Sequence, residues 1–524
     1  MSLLNAFEQL PEVYQPIYNH PELSVKVSRD CVSRLDIITN ILNEMSKFLN
    51  RKLKILDIGC SQGFFSFNVS NLGHEVLGVD YLDKNINLCE QLKKENKNLN
   101  ISFSVLDLKD IDDVLTKNKF DLVLGLSVFH HFIHENSDGL ENAKKIINNI
   151  LNQCGSAIFE FALTDEPLYW SKSQPKYVHD LINKIKYNYF IDEQETHLSE
   201  IKRPIIFSSN QFIYYENFFS KIDKFKETSH LNDDFSHKNS RKYFLFDQSI
   251  LKTFDLETEE RKKINILESK KEIEILRDKK INISIPNLFF SKSNNYQSLI
   301  HREKYHGVTL DEYIINNKYN PGEILLKILS ILETIEKKDL YFEDLRLWNF
   351  IIDDKDDLNL IDYGSLNSLK IDEYNLFNIK CDLNFIFYEI YYKKVLYPSP
   401  FRSSKLSEMH YHFPINKVIK EIWNLQVDKF SFSQVLFLFN KYRNEEINFD
   451  NSNIETLSDL KSYFYEKNID HVSEEIKHMK LLIKNLESLI KNLETKENQN
   501  LIFINKIRNN FFFKTLKRLF YKVN

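Results

Sequence analysis

Leu53-Lys-Ile-Leu-Asp-Ile-Gly-Cys-Ser-Gln-Gly63 is the stretch on which the reading of this chain turns. Its first six residues are an apolar run of strand type, and Gly59 and Gly63 frame a tight turn. FFSFNVSNLG follows with the pattern of a helix start, so the order is strand, glycine-rich turn, helix. The chain holds only 10 glycines in 524 residues, and seven of them fall between Gly59 and Gly155. Where glycine is this scarce, each one is a candidate for a position at which a side chain cannot fit.

Working outward, EVLGVD ends at Asp80, about 20 residues past the turn, where an acid at a strand tip can take both hydroxyls of a ribose. ISFSVLD ends at Asp107, FDLVLGLS starts at Phe120 and GSAIFEFA at Gly155, with helical segments between. This alternation predicts a doubly wound parallel α/β sheet of Rossmann type. A dinucleotide-binding turn would read GxGxxG. Here D-I-G-C-S-Q-G, with VLGVD, SVLDLKD and FDLVLGLSVFHHF, resembles the class I S-adenosylmethionine-dependent methyltransferases. The resemblance implies that Asp57, Gly59 and Gly63 surround the methionine part of the cofactor, Asp80 the ribose, and Asp107 with Leu108 the adenine. His131, in S-V-F-H-H-F, is either a general base or a packing residue. Tyr14, Tyr18, Arg29 and Arg34 precede the first strand, where related enzymes cap the cofactor and face the acceptor. Cations there suit an anionic acceptor, although a solvated helix face also explains two arginines.

Polar residues from about 228 to 240 read as a linker. Beyond them, Asp344 is followed by Asn349 five residues later, then an apolar strand, a turn and LNLID, whose Asp362 precedes Tyr363-Gly364. These spacings resemble the catalytic loop and metal motif of protein-kinase-like phosphotransferases, which need a base for the acceptor hydroxyl and oxygen donors for magnesium. The match makes Asp344 the catalytic aspartate and Asn349 and Asp362 the magnesium ligands. Lys252 on a strand and Glu272 on an amphipathic helix form the expected lysine–glutamate pair. The stretch from Glu303 through Tyr305 to Gly307 resembles the hinge, whose backbone contacts the adenine of ATP. Two departures stand out. HKNSRKYFLFDQS lacks the glycine-rich phosphate cover, leaving Ser240 or Arg241 as substitutes. The 18 residues from Gly364 to Asp382 leave no room for a long activation loop and peptide platform, so a sugar or small molecule is the expected acceptor rather than a protein.

From Ile469 a heptad runs through Ile476, Ile483, Ile490 and Ile504, with Val472, Met479, Leu486, Leu493 and Ile507 at the second core position. That pattern predicts a coiled coil of roughly 60 Å at about 1.5 Å per residue. Simple rules favour a parallel dimer. The last 19 residues carry six basic side chains and no acid, with Phe512, Leu516, Leu519, Phe520 and Val523 on one face. Such a helix can lie on an anionic membrane or dock a partner. Lys plus Arg is 70 against 75 Asp plus Glu, for a net charge of −5, which argues against a general nucleic-acid binder. Five scattered cysteines and an N-terminus without a basic start or apolar h-region point to the cytoplasm.

The expected domains are 1–228, a methyltransferase; 236–450, a bilobal α+β kinase-like domain; 468–508, the coiled coil; and 509–524, the basic amphipathic tail. This order resembles the bifunctional kinase-methyltransferases that terminate polymannose O-antigen chains in Gram-negative bacteria. The resemblance implies phosphorylation of the non-reducing terminal sugar of a polysaccharide, then methylation of that phosphate. It also implies a trimer rather than a dimer, and a tail that recruits a polymerising glycosyltransferase at the inner membrane. Two alternatives remain: a methyltransferase acting directly on a sugar hydroxyl with His131 as base, and an oligomeric membrane scaffold with a degenerate kinase. Retention of Asp344, Asn349 and Asp362 weighs against the scaffold.

Overall fold

The computed structural model describes residues 2–135, 138–227, 240–257, 259–279, 281–368, 373–395, 411–412 and 414–443. The expected coiled coil and basic tail, and residues 228–239 of the expected linker, lie outside the described residues. The chain divides into two compact units, Met1–Ser269 with Leu288–Lys304, and Lys270–Asn287 with Tyr305–Asn524.

In the first unit, LKILDI supplies β1 (Lys54–Ile58), followed by β2 (Glu75–Asp80), β3 (Ile101–Val105), β4 (Leu122–Leu126) and β5 (Ser156–Glu160). These five are parallel, in the order β3-β2-β1-β4-β5. Alternate side chains enter opposite cores. Ile55 packs in one with Leu122, Leu124 and Ile158, while Leu56 and Ile58 pack in the other with Val123 and Phe159. Burial on both faces is why the central strands read as unbroken apolar runs. The wholly parallel sheet expected from sequence needs one correction. β6 (Tyr187–Gln194) and β7 (Arg203–Ser209) complete it, with β7 antiparallel to both β5 and β6. A short loop without a crossover helix joins them, and such a connection produces an antiparallel pair.

β8 (Phe212–Tyr215) and β9 (Phe218–Lys221) form a hairpin, and a five-stranded antiparallel sheet follows. Its members are β10 (Lys224–Lys226), β11 (Arg241–Leu245), β12 (Ser249–Asp255), β13 (Leu288–Ser293) and β14 (Gln297–Glu303), ordered β10-β11-β12-β14-β13. Phe244, Leu251 and Leu299 of this sheet share a core with Tyr187, Phe207 and Tyr214, and the Tyr187 and Phe244 rings meet edge-on at 5.4 Å. The second sheet therefore starts before residue 228 and belongs to the same compact unit as the first.

The second unit holds β15 (Val308–Thr309), β16 (Leu340–Phe342), β17 (Phe350–Ile352), β18 (Leu358–Leu360) and β19 (Leu366–Ser368), with helices Leu310–Asn316, Pro321–Glu336, Glu373–Tyr392, Ile415–Asn424 and Phe432–Tyr442. The Asn320 side chain caps the Pro321–Glu336 helix at Gly322 N, 2.9 Å away, and proline opens the first turn. Ile324, Leu325, Ile328, Leu329, Leu332 and Ile335 form its buried stripe. The helix Glu259–Asp278 crosses from one unit to the other at Ser269.

Candidate functional site

The turn after β1 takes left-handed backbone at Gly59 (φ 69°), Ser61 (50°) and Gly63 (81°). A Cβ on Gly59 would lie 2.9 Å from Val128 Cγ2, and one on Gly63 would lie 3.0 Å from Cys89 Sγ, so the protein itself demands both glycines. The tightened turn presents Ser61 N to Asp80 Oδ2 at 2.9 Å, while Asp80 Oδ1 accepts from Leu82 N at 2.9 Å and Asn85 Nδ2 at 3.3 Å. Asp80 is thereby fixed at the tip of β2. Asp57 is buried and accepts from Ser66 Oγ at 2.5 Å; burial, aided by the Asp80 charge, pushes its carboxyl up to about 7. A buried acid poised this way suits a cationic ligand. Asp107 is exposed, accepting from Lys109 N at 3.0 Å, which with the Lys109 ammonium lowers its pKa; Leu108 is buried beside it. The N-terminal segment is tied to this turn. Gln62 accepts from Gln15 N at 3.0 Å, Gln15 accepts from Phe64 N at 3.1 Å, and Tyr18 stacks on Phe67 at 5.1 Å.

At the carboxyl ends of β4 and β5 lies a buried charge cluster. Arg29 donates to Tyr14 Oη (3.1 Å), Ser127 Oγ (2.8 Å), Glu160 Oε1 (2.5 Å) and Glu195 O (3.1 Å). Arg34 donates to the other Glu160 oxygen at 3.2 Å, and Arg203 grips Glu166 through two bonds of 2.7 and 2.8 Å. Ser127 accepts from both Arg29 and Arg203 and donates to Glu160 at 2.5 Å. Burial would raise the Glu160 carboxyl, but Arg29 and Arg34 outweigh it and hold it below its usual value. Three guanidiniums thus share two carboxylates. Trp170 lies against Arg203 and against His130, whose ring is 4.7 Å away. Burial first, then the charges of His131, Arg203 and Arg29, lower His130 to about 2, keeping it neutral. His130 Nδ1 and Arg29 Nε, both buried, have no hydrogen-bond partner. His131 is exposed, and partial desolvation lowers its basicity.

Of the four N-terminal residues expected near an acceptor, Tyr14 and Arg29 enter this cluster. Arg34 requires a correction: it is 2% exposed and spends its guanidinium on Glu160, Asp30 O and Cys31 Sγ, so it supports Glu160 instead of facing an acceptor. Tyr18 packs beside the turn. Ser127, Glu160, Glu166, Trp170 and Arg203 were not singled out from sequence. One signal was available: Glu160 interrupts the apolar run IFEFA at a strand end.

In the second unit, Asn349 Nδ2 donates to Asp344 O at 2.8 Å and to Asp344 Oδ2 at 2.9 Å. Asn349 O accepts from Ile361 N at 3.0 Å, which sets Asp362 beside it, and Ser365 Oγ donates to Asp362 Oδ2 at 2.7 Å. The Asn349 amide oxygen and the second Asp362 oxygen remain for a metal. Two oxygen donors, completed by phosphate and water, fit magnesium. Arg346, unremarked in the sequence, donates from Nε to Asp344 Oδ1 at 3.1 Å and keeps a buried Nη1 without a partner. Tyr305 lies in this unit, its hydroxyl donating to Ser284 Oγ at 3.1 Å. Glu272 is buried on the helix Glu259–Asp278, in the portion that belongs to this unit. Lys252 and Glu303 belong to the first unit. Lys252 is buried on β12, with Tyr243 and Ile300 opposite it in register, and Glu303 closes β14. Of the two substitutes for a glycine-rich cover, Arg241 pairs with Glu268 at 2.6 Å and Ser240 Oγ accepts from Asn265 Nδ2 at 3.1 Å.

Residues 49–160 match the family model of a methyltransferase domain. The chain is 30% and 29% identical, each over 440 residues, to two Escherichia coli proteins described as the O-antigen chain terminator bifunctional methyltransferase/kinase WbdD. Each match takes in 83% of this chain but 62% of the relative, so the chain spans less than two thirds of those relatives' length. A solved structure of WbdD with its C-terminal bundle ordered superposes with a TM-score of 0.79 at 27% identity, covering 94% of this chain and 100% of that one. A second WbdD structure gives 0.69 at 27% identity, covering 89% and 100%. The chain is a homologue of these bifunctional proteins, as its motifs imply.

Proposed function

We propose that the chain phosphorylates the non-reducing terminal sugar of a surface polysaccharide with ATP and then methylates that phosphate with S-adenosylmethionine, ending chain growth. The observation that carries this reading is the cation in excess at the acceptor end of the first sheet. Arg29, Arg34 and Arg203 set three positive charges against the two buried carboxylates Glu160 and Glu166. Each has a carboxylate contact, but a buried positive charge in excess is costly without a further anionic partner. A phosphate monoester, carrying about −1.5 to −2 near pH 7, supplies that partner, and a neutral hydroxyl does not. His130 Nδ1 and Arg29 Nε add hydrogen-bonding capacity beside it. Because a phosphate oxygen is already anionic, positioning can take the place of a strong base.

S-adenosylmethionine supplies an electrophilic methyl group; Asp57, Asp80, Asp107 and Leu108, around the Gly59–Gly63 turn, are the residues to hold it. In the phosphoryl step Asp344 accepts the proton of the sugar hydroxyl, and Asn349 and Asp362 hold magnesium. Arg346 holds the Asp344 carboxylate in place through Nε. By the family resemblance Lys252 and Glu272 are each assigned to the nucleotide phosphates, and the backbone at Glu303 and at Tyr305 to adenine. The chain-terminator description of the WbdD relatives supports a polysaccharide acceptor. Trimerisation through 468–508, and docking of 509–524 on an anionic membrane surface and a polymerising glycosyltransferase at the cytoplasmic side of the inner membrane, belong to the same proposal. Among the described residues no helix is long and apolar enough to cross a membrane.

Direct methylation of a sugar hydroxyl is the second reading, favoured by the exposed His131 ring, whose pKa desolvation lowers. One experiment separates the two. Wild-type and Asp344→Ala protein are incubated with short mannosides or a mannoside phosphate, with ATP and S-adenosylmethionine omitted in turn, and products are weighed by mass spectrometry. The proposal expects Asp344→Ala to methylate only the phosphorylated acceptor. Methylation of the plain glycan by that variant would establish the hydroxyl reading.

A further inference from the structure

The residue after the metal-binding Asp362 is a tyrosine, and kinase-like sequences commonly place a phenylalanine there, whose packing sets the active or inactive loop. Tyr363 is fully buried. Its hydroxyl lies 2.7 Å from Leu360 O, 3.2 Å from Ser284 O and 3.3 Å from the Tyr305 hydroxyl. A phenol has one proton to give and lone pairs to accept. The shortest contact makes Leu360 O the main acceptor, with Ser284 O a weaker second one, while Tyr305 gives its own proton to Ser284 Oγ. The hydroxyl therefore ties the strand that delivers Asp362 to the segment around Ser284, which Tyr305 also bonds.

We propose that Tyr363 is a positioning residue for phosphoryl transfer, its hydroxyl pinning the Asp362 turn in the arrangement that offers a carboxylate oxygen to magnesium. This rests on the kinase reading of Asp344, Asn349 and Asp362. The turn itself is short. Asp362 has φ −107° and ψ 83°, outside helix and strand, and Tyr363–Ser365 is a single 3₁₀ turn. Ser365 Oγ holds one Asp362 oxygen, and Ser365 O accepts from Glu343 N at 3.0 Å, next to Asp344. These bonds fix the turn at Asp362 and at its far end. The Tyr363 hydroxyl fixes the middle and resists rotation of the ring out of its slot, which would carry Asp362 away from Asn349. Phenylalanine fills the same volume, so the hydroxyl contributes restraint and not packing.

The test compares Tyr363→Phe, Tyr305→Phe and the double variant with wild type and Asp362→Ala. Mn2+ binding in the presence of ADP is followed by the paramagnetic resonance of free Mn2+, and phosphorylation of a mannoside is measured across Mg2+ concentrations. Losing about one hydrogen bond corresponds to roughly fivefold. Tyr363→Phe is expected to weaken Mn2+ binding and raise the Mg2+ needed for half-maximal rate by that factor, with thermal unfolding little changed. Tyr305→Phe should give a smaller effect in the same direction, and the double variant should add little to Tyr363→Phe, since both hydroxyls hold the same segment at Ser284. If Tyr363→Phe does not fold, Tyr305→Phe carries the same readout. Wild-type Mn2+ affinity and Mg2+ dependence in both single variants would overturn the inference. Undiminished phosphorylation by Asp362→Ala would instead overturn the kinase reading on which it rests.

Discussion

Asp57 is held protonated up to about pH 7 by burial and by the neighbouring Asp80 charge, against the Ser66 hydroxyl bond that favours ionisation. Its folded pKa lies above the ordinary 3.8, so the folded chain binds the proton more tightly than the unfolded chain. That contribution to stability is present below the unfolded value and is lost as pH rises through the folded one. A cation beside the carboxyl reverses the sign. S-adenosylmethionine affinity should therefore rise roughly tenfold between pH 6 and 8, about the change in ionised fraction across a pKa near 7. Titration calorimetry should show that slope in wild type and a flat profile in Asp57→Asn; a wild-type profile without slope would separate Asp57 from the cofactor. Asp80 was legible as an acid at the end of an apolar strand about 20 residues past the turn, and Asp57 through the resemblance carried by D-I-G-C-S-Q-G. The Glu160 cluster was not: Arg29 and Glu160 lie 131 positions apart, and no local pattern records a pair that only the folded sheet brings together.

Among the elements, the five parallel strands and the helix opening at Pro321 follow from periodicity and capping, which act within a few residues. The antiparallel β7 and the early start of the second sheet at Lys224 do not. β10 is three residues long and gains its identity from pairing with β11, across residues 228–239. The segment from Glu12 to Tyr18 is a third case, a stretch without regular structure whose position is set by side chains. Gln62, 2% exposed, accepts from Gln15 N and donates to Glu12 O at 3.4 Å and Asn85 Oδ1 at 2.9 Å, so a single glutamine ties this segment to the glycine turn. Gln62→Ala removes those bonds and leaves Gln15 N and Asn85 short of partners, a loss of about 1–2 kcal/mol. If the segment closes over the methyl donor, stopped-flow measurement should find S-adenosylmethionine leaving Gln62→Ala roughly tenfold faster, about 1.4 kcal/mol. Phosphorylation by the same variant should be unchanged, because the residues proposed for phosphoryl transfer are Lys252, Glu272, Asp344, Asn349 and Asp362. An unaltered dissociation rate would reduce the segment to a packing role.

At the scale of the whole molecule, every residue assigned to chemistry lies between Tyr14 and Asp362, and the heptads begin only at Ile469. The C-terminal region has apolar core positions, alternating charge and a basic amphipathic end, but no cluster of catalytic type, so its contribution should be assembly and location. Truncation before Ile469 should preserve both activities on short soluble acceptors and lower the oligomeric state, since the heptad seam is the clearest self-association surface in the sequence. Light scattering that finds the truncated chain still fully oligomeric would transfer assembly to the folded units. Removing only residues 510–524 takes away Lys514, Lys517, Arg518 and Lys522 together with the apolar face. Each basic residue near an anionic surface contributes about 1 kcal/mol, and that attraction is screened within a Debye length of about 10 Å at 0.1 M salt. The tail deletion should therefore leave the oligomer intact while sharply reducing sedimentation with anionic liposomes, and the difference from wild type should shrink as salt is raised. A salt-independent loss would indicate that burial of the Phe512 and Leu516 face in the bilayer, and not charge, carries the binding, and unchanged binding would remove the tail from the membrane proposal.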